Sequence, residues 1–475
     1  MAETGKQLHI VMFPWLAFGH MLPFLELSKL IAQKGHKISF VSTPRNIDRF
    51  PKLPPDLAHL IKFVKLPLPQ VQNLPENAES TSDLPYHKVK YLKMAYDLLQ
   101  QPMNSFLEAS APDCVIYDFI AYWLGPIAAK LNILSCLFCV FIASALGYAG
   151  PASVLMDPQN EYRTKPEEFT VPPNWFPFKS TVAFRLFEIL RIFDEVEALV
   201  DNVPAVYRLG AGIDGCDVIT MRSCYEFEPE WLTLLGDIHR PKPVIPVGQL
   251  PPVAYHDDEE DDAWREMKAW LNKQSKGSVV YVAFGSEAKP SQAELTEIAL
   301  GLELSELPFF WALRKQRGMA DTEVIELPEG FEERTRGRGL VRTSWVPQLK
   351  ILSHDSVGGF LTHSGWSSVV EAIQFARALI LLTCLADQGL NARVLEEKKM
   401  GYSIPRDERD GSFTSDSVAE SLRLVMVEEG GKIYRDKVKE MRGLFGDRDK
   451  QDKYVDNLLA HFQSHRKGGL KKEIK

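Results

Sequence analysis

The sequence predicts an α/β protein made of two doubly wound parallel sheets, and three observations support this. Short apolar runs typical of buried parallel strands alternate with stretches of helical periodicity between residues 8 and 247. The same alternation begins again at residue 278 and continues to residue 427. Between the two series, residues 249–262 (QLPPVAYHDDEEDD) change abruptly to paired prolines and acids, which indicates an exposed linker.

The first series has the order of a doubly wound sheet, in which strands alternate with helices that return the chain. Apolar runs predict strands at residues 8–14, 36–41, 63–66, 114–117, 217–221 and 243–247. Helices are predicted at residues 21–35, 89–109 and 185–200. Residues 131–156 carry no charge but are interrupted by glycines and a proline, which favours a strand running into a helix over a transmembrane span.

The second series repeats the pattern. Strands are predicted at residues 278–284, 309–314, 340–342 and 357–361. Helices are predicted at residues 291–303, 366–375, 391–397, 415–427 and 433–465. A basic tail, RKGGLKKEIK, follows the last helix.

Two polar residues of the first series lie where predicted strands end. His20 comes after the first strand, and Asp118 comes directly after the strand at 114–117. Ligands of doubly wound sheets bind at the carboxyl ends of the strands, so both side chains are candidates for a site. A histidine base needs a carboxylate to fix its tautomer and stabilise its charged form. The pair is therefore a candidate catalytic dyad, in which His20 takes a proton from a hydroxyl group and Asp118 holds the imidazolium.

Residues 345–388 contain the local geometry that binds phosphate. A buried strand at 357–361 leads through the short turn THSG into a helix. The first amides of a helix have no internal partner and carry partial positive charge. Ser367 and Ser368 lie in that first turn and can donate further hydrogen bonds.

This stretch resembles the signature box of the plant UDP-sugar-dependent glycosyltransferases. So many matches at fixed offsets make the signal specific. The matching residues are Trp345, Pro347, Gln348, His354, His363, Gly365, Trp366, Ser368, Glu371, Asp387 and Gln388. The sequence departs from the box at Ser364, where cysteine is usual, and at Ser367, where asparagine is usual.

The resemblance implies how the nucleoside of a UDP-sugar is bound. Trp345 stacks on the uracil and the Val346 backbone pairs with it, while Gln348 and Glu371 hold the ribose. An aromatic face suits a flat base. A carboxylate, which only accepts hydrogen bonds, suits the two hydroxyl groups of a ribose.

The resemblance also implies the contacts of the diphosphate. His363 and Ser368 bind it at the start of the helix, where Gly365, Trp366 and Ser367 also lie.

Three further residues complete the implied donor site. Ser286, in a Gly-Ser turn after the strand at 278–284, is a second phosphate contact, and Asp387 and Gln388 hydrogen-bond the hydroxyl groups of the donor sugar. No cofactor is predicted, because the UDP-sugar is a co-substrate, and no metal site is predicted. The acids of the linker are adjacent and lie beside a single histidine, which favours a solvated segment over a metal site.

Two doubly wound, Rossmann-like domains facing a central cleft form the layout called GT-B, which the resemblance implies over nearly the whole chain. It divides the chain into an acceptor-binding domain at 1–248, the acidic linker at 249–262 and a UDP-sugar-binding domain at 263–445. Residues 446–475 are a C-terminal helix that returns to the first domain, plus the basic tail. Aromatic residues that suit an acceptor pocket, and equally an ordinary core, are Trp15, Phe119, Trp123, Phe138 and Phe141.

Composition disfavours several other classes of protein. The formal net charge of −8 and the pI near 5.9 argue against a nucleic-acid surface. The N-terminus lacks the long apolar segment of a signal peptide. Six scattered cysteines, two of them in a CxxC within an apolar run, indicate buried free thiols and a reducing compartment. We expect a cytoplasmic monomer without stable membrane insertion.

The combined prediction is an inverting glycosyltransferase that moves a hexose, glucose or rhamnose, from a UDP-sugar to a small plant metabolite such as a flavonoid or terpenoid. The segments FPWLAFGH, STPRNI, FGSEA and RDERDGSF resemble a subgroup that extends existing glycosides or uses UDP-rhamnose. The acceptor hydroxyl is therefore expected on a sugar, with transfer to an aglycone, or binding without turnover, as the alternatives. A Rossmann oxidoreductase is disfavoured because residues 14–20 contain no Gly-x-Gly-x-x-Gly pattern.

Overall fold

The structure, a computed structural model, describes residues 6–157, 162–197, 203–253, 262–285, 290–314 and 326–465. Three features predicted above fall outside these ranges: most of the acidic linker, Ser286 and the basic tail. Within the described part, the backbone forms two parallel sheets, one in each half of the chain. This is the α/β architecture that the alternating sequence pattern predicts.

The first sheet has seven parallel strands. They are β1 (His9–Phe13), β2 (Lys37–Ser42), β3 (Ile61–Lys65), β4 (Cys114–Tyr117), β5 (Leu134–Cys139), β6 (Val218–Met221) and β7 (Val244–Pro246). Their spatial order is β3-β2-β1-β4-β5-β6-β7, so the chain moves outward from β1 to β3 and then returns to the other side of β1. The order reverses between β1 and β4, which is where such sheets open a crevice for a ligand.

Helices cover both faces of the first sheet, as expected for parallel strands joined by crossover connections. They are α1 (Phe18–Gln33), α2 (Pro44–Asp48), α3 (Val89–Asp97), α4 (Gln100–Ser110), α5 (Leu124–Lys130), α6 (Ala143–Ala149), α7 (Ala152–Met156), α8 (Leu186–Glu197), α9 (Ala205–Gly215) and α10 (Pro229–Ile238).

The second sheet has six parallel strands. They are β8 (Val279–Ala283), β9 (Phe309–Ala312), β10 (Gly339–Arg342), β11 (Val357–Thr362), β12 (Ala378–Leu381) and β13 (Gly401–Ser403). The order β10-β9-β8-β11-β12-β13 reverses between β8 and β11, so this sheet too has a crevice at its carboxyl edge.

The second half also carries the remaining helices. They are α11 (Asp262–Leu271), α12 (Gln292–Leu304), α13 (Phe331–Arg334), α14 (Gln348–Ser353), α15 (Trp366–Ile373), α16 (Gln388–Glu397), α17 (Ser415–Met426), α18 (Lys432–Gly446) and α19 (Arg448–Ser464). The first residues of α15 follow β11 at the point where the strand order reverses, which places them at the crevice.

The structure differs from the predicted pattern in a few elements. The strands β12 and β13 were not among those predicted: β12 is the short apolar segment ALIL, whereas β13, with the sequence GYS, has no apolar run. The helix predicted at 433–465 is two helices, because Asp447 begins a new one by accepting a hydrogen bond from the Lys450 amide at 3.2 Å. The helix predicted at 89–109 is likewise divided into α3 and α4.

The last helix, α19, packs on the first half of the chain. Its buried apolar side chains join one cluster with Phe24 and Leu25 of α1. These side chains are Val455, Leu458, Leu459 and Phe462. Apolar burial of this extent is the main force that holds α19 against the first sheet.

We expect Leu458→Ala to lower the free energy of unfolding by about 2–5 kcal/mol, because it removes a fully buried side chain and leaves a cavity. The midpoint of urea denaturation, followed by far-UV circular dichroism, measures the effect. Asn457→Ala, at an exposed position on the same helix, is the matched control. Equal midpoints for the two variants would contradict the docking of α19 described here.

Candidate active site

His20 and Asp118 meet at the crevice of the first sheet. Because β1 and β4 are neighbours in register, with Phe13 opposite Tyr117, the residues that follow the two strands lie side by side. The His20 ring nitrogen Nδ1 is 2.7 Å from Asp118 Oδ2, so the two side chains are hydrogen-bonded. When Nδ1 donates to the carboxylate, Nε2 carries the lone pair of the imidazole.

The Asp118 carboxylate is fixed on both oxygens. Oδ1 accepts a hydrogen bond from the Phe119 amide at 2.8 Å, and Oδ2 accepts a second one from the Trp15 amide at 3.2 Å. Its side chain is only 1% exposed, whereas that of His20 is 18% exposed. The carboxylate is thus a buried support, and the imidazole is the member of the pair that solvent reaches.

The five aromatic residues suggested for an acceptor pocket lie in different environments. The rings of Phe119 and Phe141 are partly exposed, and each centroid is 6.0 Å from that of His20. Phe138 has no exposed surface and packs on Phe24 at 4.8 Å, within the core of the sheet.

The two tryptophans of that group are also almost fully buried, at 5% for Trp15 and 7% for Trp123. Trp15 packs edge-on against Tyr96, and the Trp123 indole donates to Asp97 at 3.2 Å. Both therefore pack behind the crevice, and Phe119 and Phe141 are the aromatic rings beside the imidazole.

In the second half, His363 lies in the turn between β11 and α15. A side chain at Gly285 or Gly365 would collide with its ring, because an added Cβ would lie 2.7 Å or 2.4 Å from Nε2. Burial lowers the pKa of His363 to about 4, so the imidazole is neutral at pH 7. A neutral imidazole offers one N–H donor beside the amides of the helix N-terminus.

Gln348, Ser368 and Glu371 form one hydrogen-bonded group next to that turn. The Gln348 amide donates to Glu371 Oε2 at 2.8 Å and to Ser368 Oγ at 3.3 Å. The Tyr281 hydroxyl donates to the Gln348 carbonyl at 3.3 Å, which fixes the orientation of the amide. Burial raises the pKa of Glu371 to about 7, so this carboxyl titrates near neutral pH.

Trp345 and Val346 precede this group in the chain and differ sharply in exposure. The Trp345 side chain is 61% exposed, whereas Val346 is 3% exposed. A large aromatic face that is left in solvent next to a polar group is the arrangement that accommodates a flat ligand.

Asp387 and Gln388 lie at the start of α16. Asn391 donates to Asp387 Oδ2 at 3.1 Å, and Gln388 Oε1 accepts from the Cys384 and Leu385 amides at 2.9 and 3.1 Å. Burial raises the pKa of Asp387, while the charge of His20 lowers it. Asp387 is therefore within electrostatic range of His20.

Sequence reasoning missed one buried cation of this region, Arg222, which directly follows β6. Its Nη1 donates to Ser367 Oγ at 2.8 Å, across the cleft. Its position at the carboxyl end of a strand, shared with Asp118, is the signal that could have identified it.

A GT-B fold with a histidine–carboxylate pair in one half and a phosphate-type helix start in the other is the architecture of a nucleotide-sugar glycosyltransferase. Comparison with known proteins agrees. Residues 225–455 match the family model described as "UDP-glucoronosyl and UDP-glucosyl transferase". Residues 6–185 match the model "Glycosyltransferase, N-terminal domain". The chain belongs to the plant UDP-glycosyltransferase family.

Individual relatives cover nearly the whole chain. UDP-glycosyltransferase 91A1 of Arabidopsis thaliana is 58% identical over 97% of this chain and 98% of its own. The anthocyanidin-3-O-glucoside rhamnosyltransferase of Petunia hybrida is 33% identical over 97% of both chains. The structure of Phytolacca americana UGT2 complexed with UDP-2-fluoro-glucose and pterostilbene superposes with a TM-score of 0.72 at 25% identity, covering 96% of this chain and 99% of that one.

The helices of the described ranges include none that is long and apolar enough to cross a membrane. All six cysteines are free thiols, and five of them are buried.

We expect Gly365→Ala to weaken UDP binding by about 10- to 100-fold, because losing the hydrogen bond from His363 to the charged diphosphate has an effect of about this size. The new Cβ would lie 2.4 Å from His363 Nε2 and displace the ring, whereas the backbone at this position, with φ of −62°, tolerates alanine. Isothermal titration calorimetry with UDP measures the change. Gly236→Ala, where no atom lies within 4 Å of an added Cβ, is the control, and equal affinities would contradict the role of His363.

Proposed function

We propose that this chain is an inverting hexosyltransferase that moves glucose or rhamnose from a UDP-sugar to a hydroxyl group of a small plant metabolite, such as a flavonoid or terpenoid. The observation that carries the proposal is the 2.7 Å hydrogen bond between His20 and a carboxylate that is 1% exposed. A histidine held in this way beside a donor site is equipped to act as a base.

In the proposed reaction, His20 Nε2 removes the proton of the acceptor hydroxyl while Asp118 stabilises the resulting imidazolium. The acceptor oxygen attacks the anomeric carbon from the side opposite to UDP, so a new C–O bond forms as the bond to the diphosphate breaks. The electron pair of the broken bond leaves with UDP. General base catalysis of this kind contributes about 100- to 10,000-fold to the rate.

The departing diphosphate is stabilised by the start of α15. Its hydrogen-bond donors are the first backbone amides of the helix, the hydroxyl groups of Ser367 and Ser368, and the neutral ring of His363. All of these donors are uncharged and are held in place before the reaction begins. Ser286 is proposed as a further donor. This donor set is the reason to propose that the reaction needs neither a metal ion nor a cofactor.

The nucleoside and the donor sugar are assigned to the groups on either side of that helix. Trp345 provides the stacking face for uracil, and the backbone of Val346 pairs with its edge. Gln348 and Glu371 hold the ribose.

Asp387 and Gln388 are proposed to hold the hydroxyl groups of the transferred sugar. The charge of His20 lowers the pKa of Asp387, and this electrostatic proximity to the proposed base supports the assignment.

The acceptor hydroxyl is proposed to belong to a sugar of an existing glycoside. The four sequence segments that resemble glycoside-extending enzymes support this, as does the Petunia relative, which is named for a glucoside acceptor and a rhamnosyl donor. The acceptor would bind in the first domain, at 1–248, beside Phe119 and Phe141, and the donor would bind in the second, at 263–445. We also propose that the protein is a cytoplasmic monomer. The six free thiols support the proposed compartment, because the cytoplasm keeps cysteines reduced.

The deciding experiment incubates the protein with UDP-glucose or UDP-rhamnose and offers a flavonol or its monoglucoside as acceptor. Mass spectrometry of the products identifies the added sugar. We expect transfer to the monoglucoside, and the productive donor identifies the hexose. Product from the flavonol alone would support the alternative, a first-step enzyme that acts on aglycones. UDP binding without any product would instead support a binding protein without turnover of these acceptors.

The variant His20→Ala tests whether His20 is the base. We expect it to abolish transfer but to leave the dissociation constant of UDP within a few-fold of the wild type, because the imidazole acts on the acceptor. An equal loss of transfer and of UDP binding would contradict the assignment of His20 as the base.

A further inference from the structure

We propose that Arg222 is a positioning residue of the donor site that acts from the opposite half of the chain. It holds Ser367 at the diphosphate turn and provides the positive charge beside the ribose-binding carboxylate of Glu371. The inference rests on the proposed function, because it adds a residue to that donor site.

Arg222 reaches the donor site through the interface between the two halves. It directly follows β6 at the carboxyl edge of the first sheet, and the whole residue is 2% exposed. Its Nη1 donates to Ser367 Oγ at 2.8 Å, and its Nε donates to the Gln249 carbonyl at 2.9 Å. The guanidinium is therefore fixed on the first half and bound to the first turn of α15 on the second.

A second bond of the same kind fixes the neighbouring residue. The Trp366 indole donates to Gln249 Oε1 at 3.0 Å, and the backbone N–H of Gln249 donates to Gln451 Oε1 at 2.7 Å. Two consecutive residues at the start of α15 are thus bound to the same buried support. The start of α15 is therefore held by Arg222 of the first half and by Gln249, where the linker begins.

Hydrogen bonding alone does not account for an arginine at this position. A neutral side chain could donate to a serine hydroxyl and a carbonyl, whereas burying a cation is costly unless other charges compensate for it. Two partly buried carboxyl groups provide that compensation: Glu371 of the second half and Glu26 of α1 both interact with the charge of Arg222. Burial lowers the pKa of Arg222 only to about 10, so the side chain stays charged at neutral pH.

The charged groups around Glu371 act in opposite directions. The Gln348 hydrogen bond and the charge of Arg222 lower its pKa, while burial and the charge of Glu26 raise it. Burial raises the pKa of the Tyr281 phenol, and the charge of Glu371 raises it further. Glu26 is itself paired with Lys29 at 2.5 Å, and the charge of Arg448 acts on it as well.

These signs predict a specific pH dependence. A ribose diol is best bound by an ionised carboxylate, and Glu371 loses that charge as the pH falls through its pKa of about 7. Removing Arg222 removes a group that lowers this pKa, so the loss of binding should begin at a higher pH. Removing the charge of Glu26 should have the opposite effect.

The test measures the dissociation constant of UDP-glucose by calorimetry between pH 5.5 and 8.5, with the full chain. UDP-glucose is the probe because its diphosphate is a diester and does not titrate in this range. We expect Arg222→Met to weaken binding at pH 7 by tenfold or more and to raise the pH midpoint. We expect Arg222→Lys to keep the midpoint near that of the wild type, Glu26→Gln to lower it, and Glu371→Gln to abolish the step.

Two results would overturn the inference while the proposed function stands. One is that Arg222→Met binds UDP-glucose with the affinity and the pH midpoint of the wild type. The other applies if Arg222→Met does not fold. Ser367→Ala then tests the hydrogen bond, and Glu26→Gln tests the charge. If both variants keep the wild-type affinity for UDP-glucose and the wild-type pH midpoint, the inference is overturned. A wild-type protein that does not bind UDP-glucose would instead overturn the proposed function, and this inference with it.

Discussion

The hydrogen bond between His20 and Asp118 is the interaction on which the rest of the site depends, and the sheet topology makes it possible. The two residues are 98 positions apart in sequence, and they meet only because β1 and β4 are neighbours at the reversal of strand order. Two backbone amides donate hydrogen bonds to the Asp118 carboxylate, so its orientation is fixed. A rigid, buried acceptor of this kind decides which nitrogen of the imidazole faces the cleft.

The turn between β11 and α15 depends on a different constraint, which is the packing of a neutral imidazole beside the N-terminus of a helix. Burial makes His363 neutral, and its ring fits only because glycines stand at 285 and 365. The cation of this region, Arg222, lies behind the turn and belongs to the other half. The start of α15 is therefore in contact with both halves of the chain.

The sequence was sufficient to predict most of the fold, because buried parallel strands are short apolar runs and the box has fixed offsets. The prediction placed His20 and Asp118 at strand ends, and the structure puts them within hydrogen-bond distance. Long-range pairing was not predictable: nothing local connects Arg222 with Ser367, 145 positions away. Nor could periodicity separate Phe138, buried against Phe24, from Phe119 and Phe141 beside His20, because apolar residues have the same pattern in a core and in a pocket.

The central claim is that one base, in one step, directs an acceptor oxygen to the anomeric carbon of a UDP-sugar. The most direct measurement is the anomeric configuration of the product, read from the proton coupling constant in the NMR spectrum, compared with that of the donor. A single displacement predicts inversion, so an α-configured UDP-glucose should give a β-glucoside. Retention of configuration would contradict the account, since a single in-line displacement inverts the anomeric carbon.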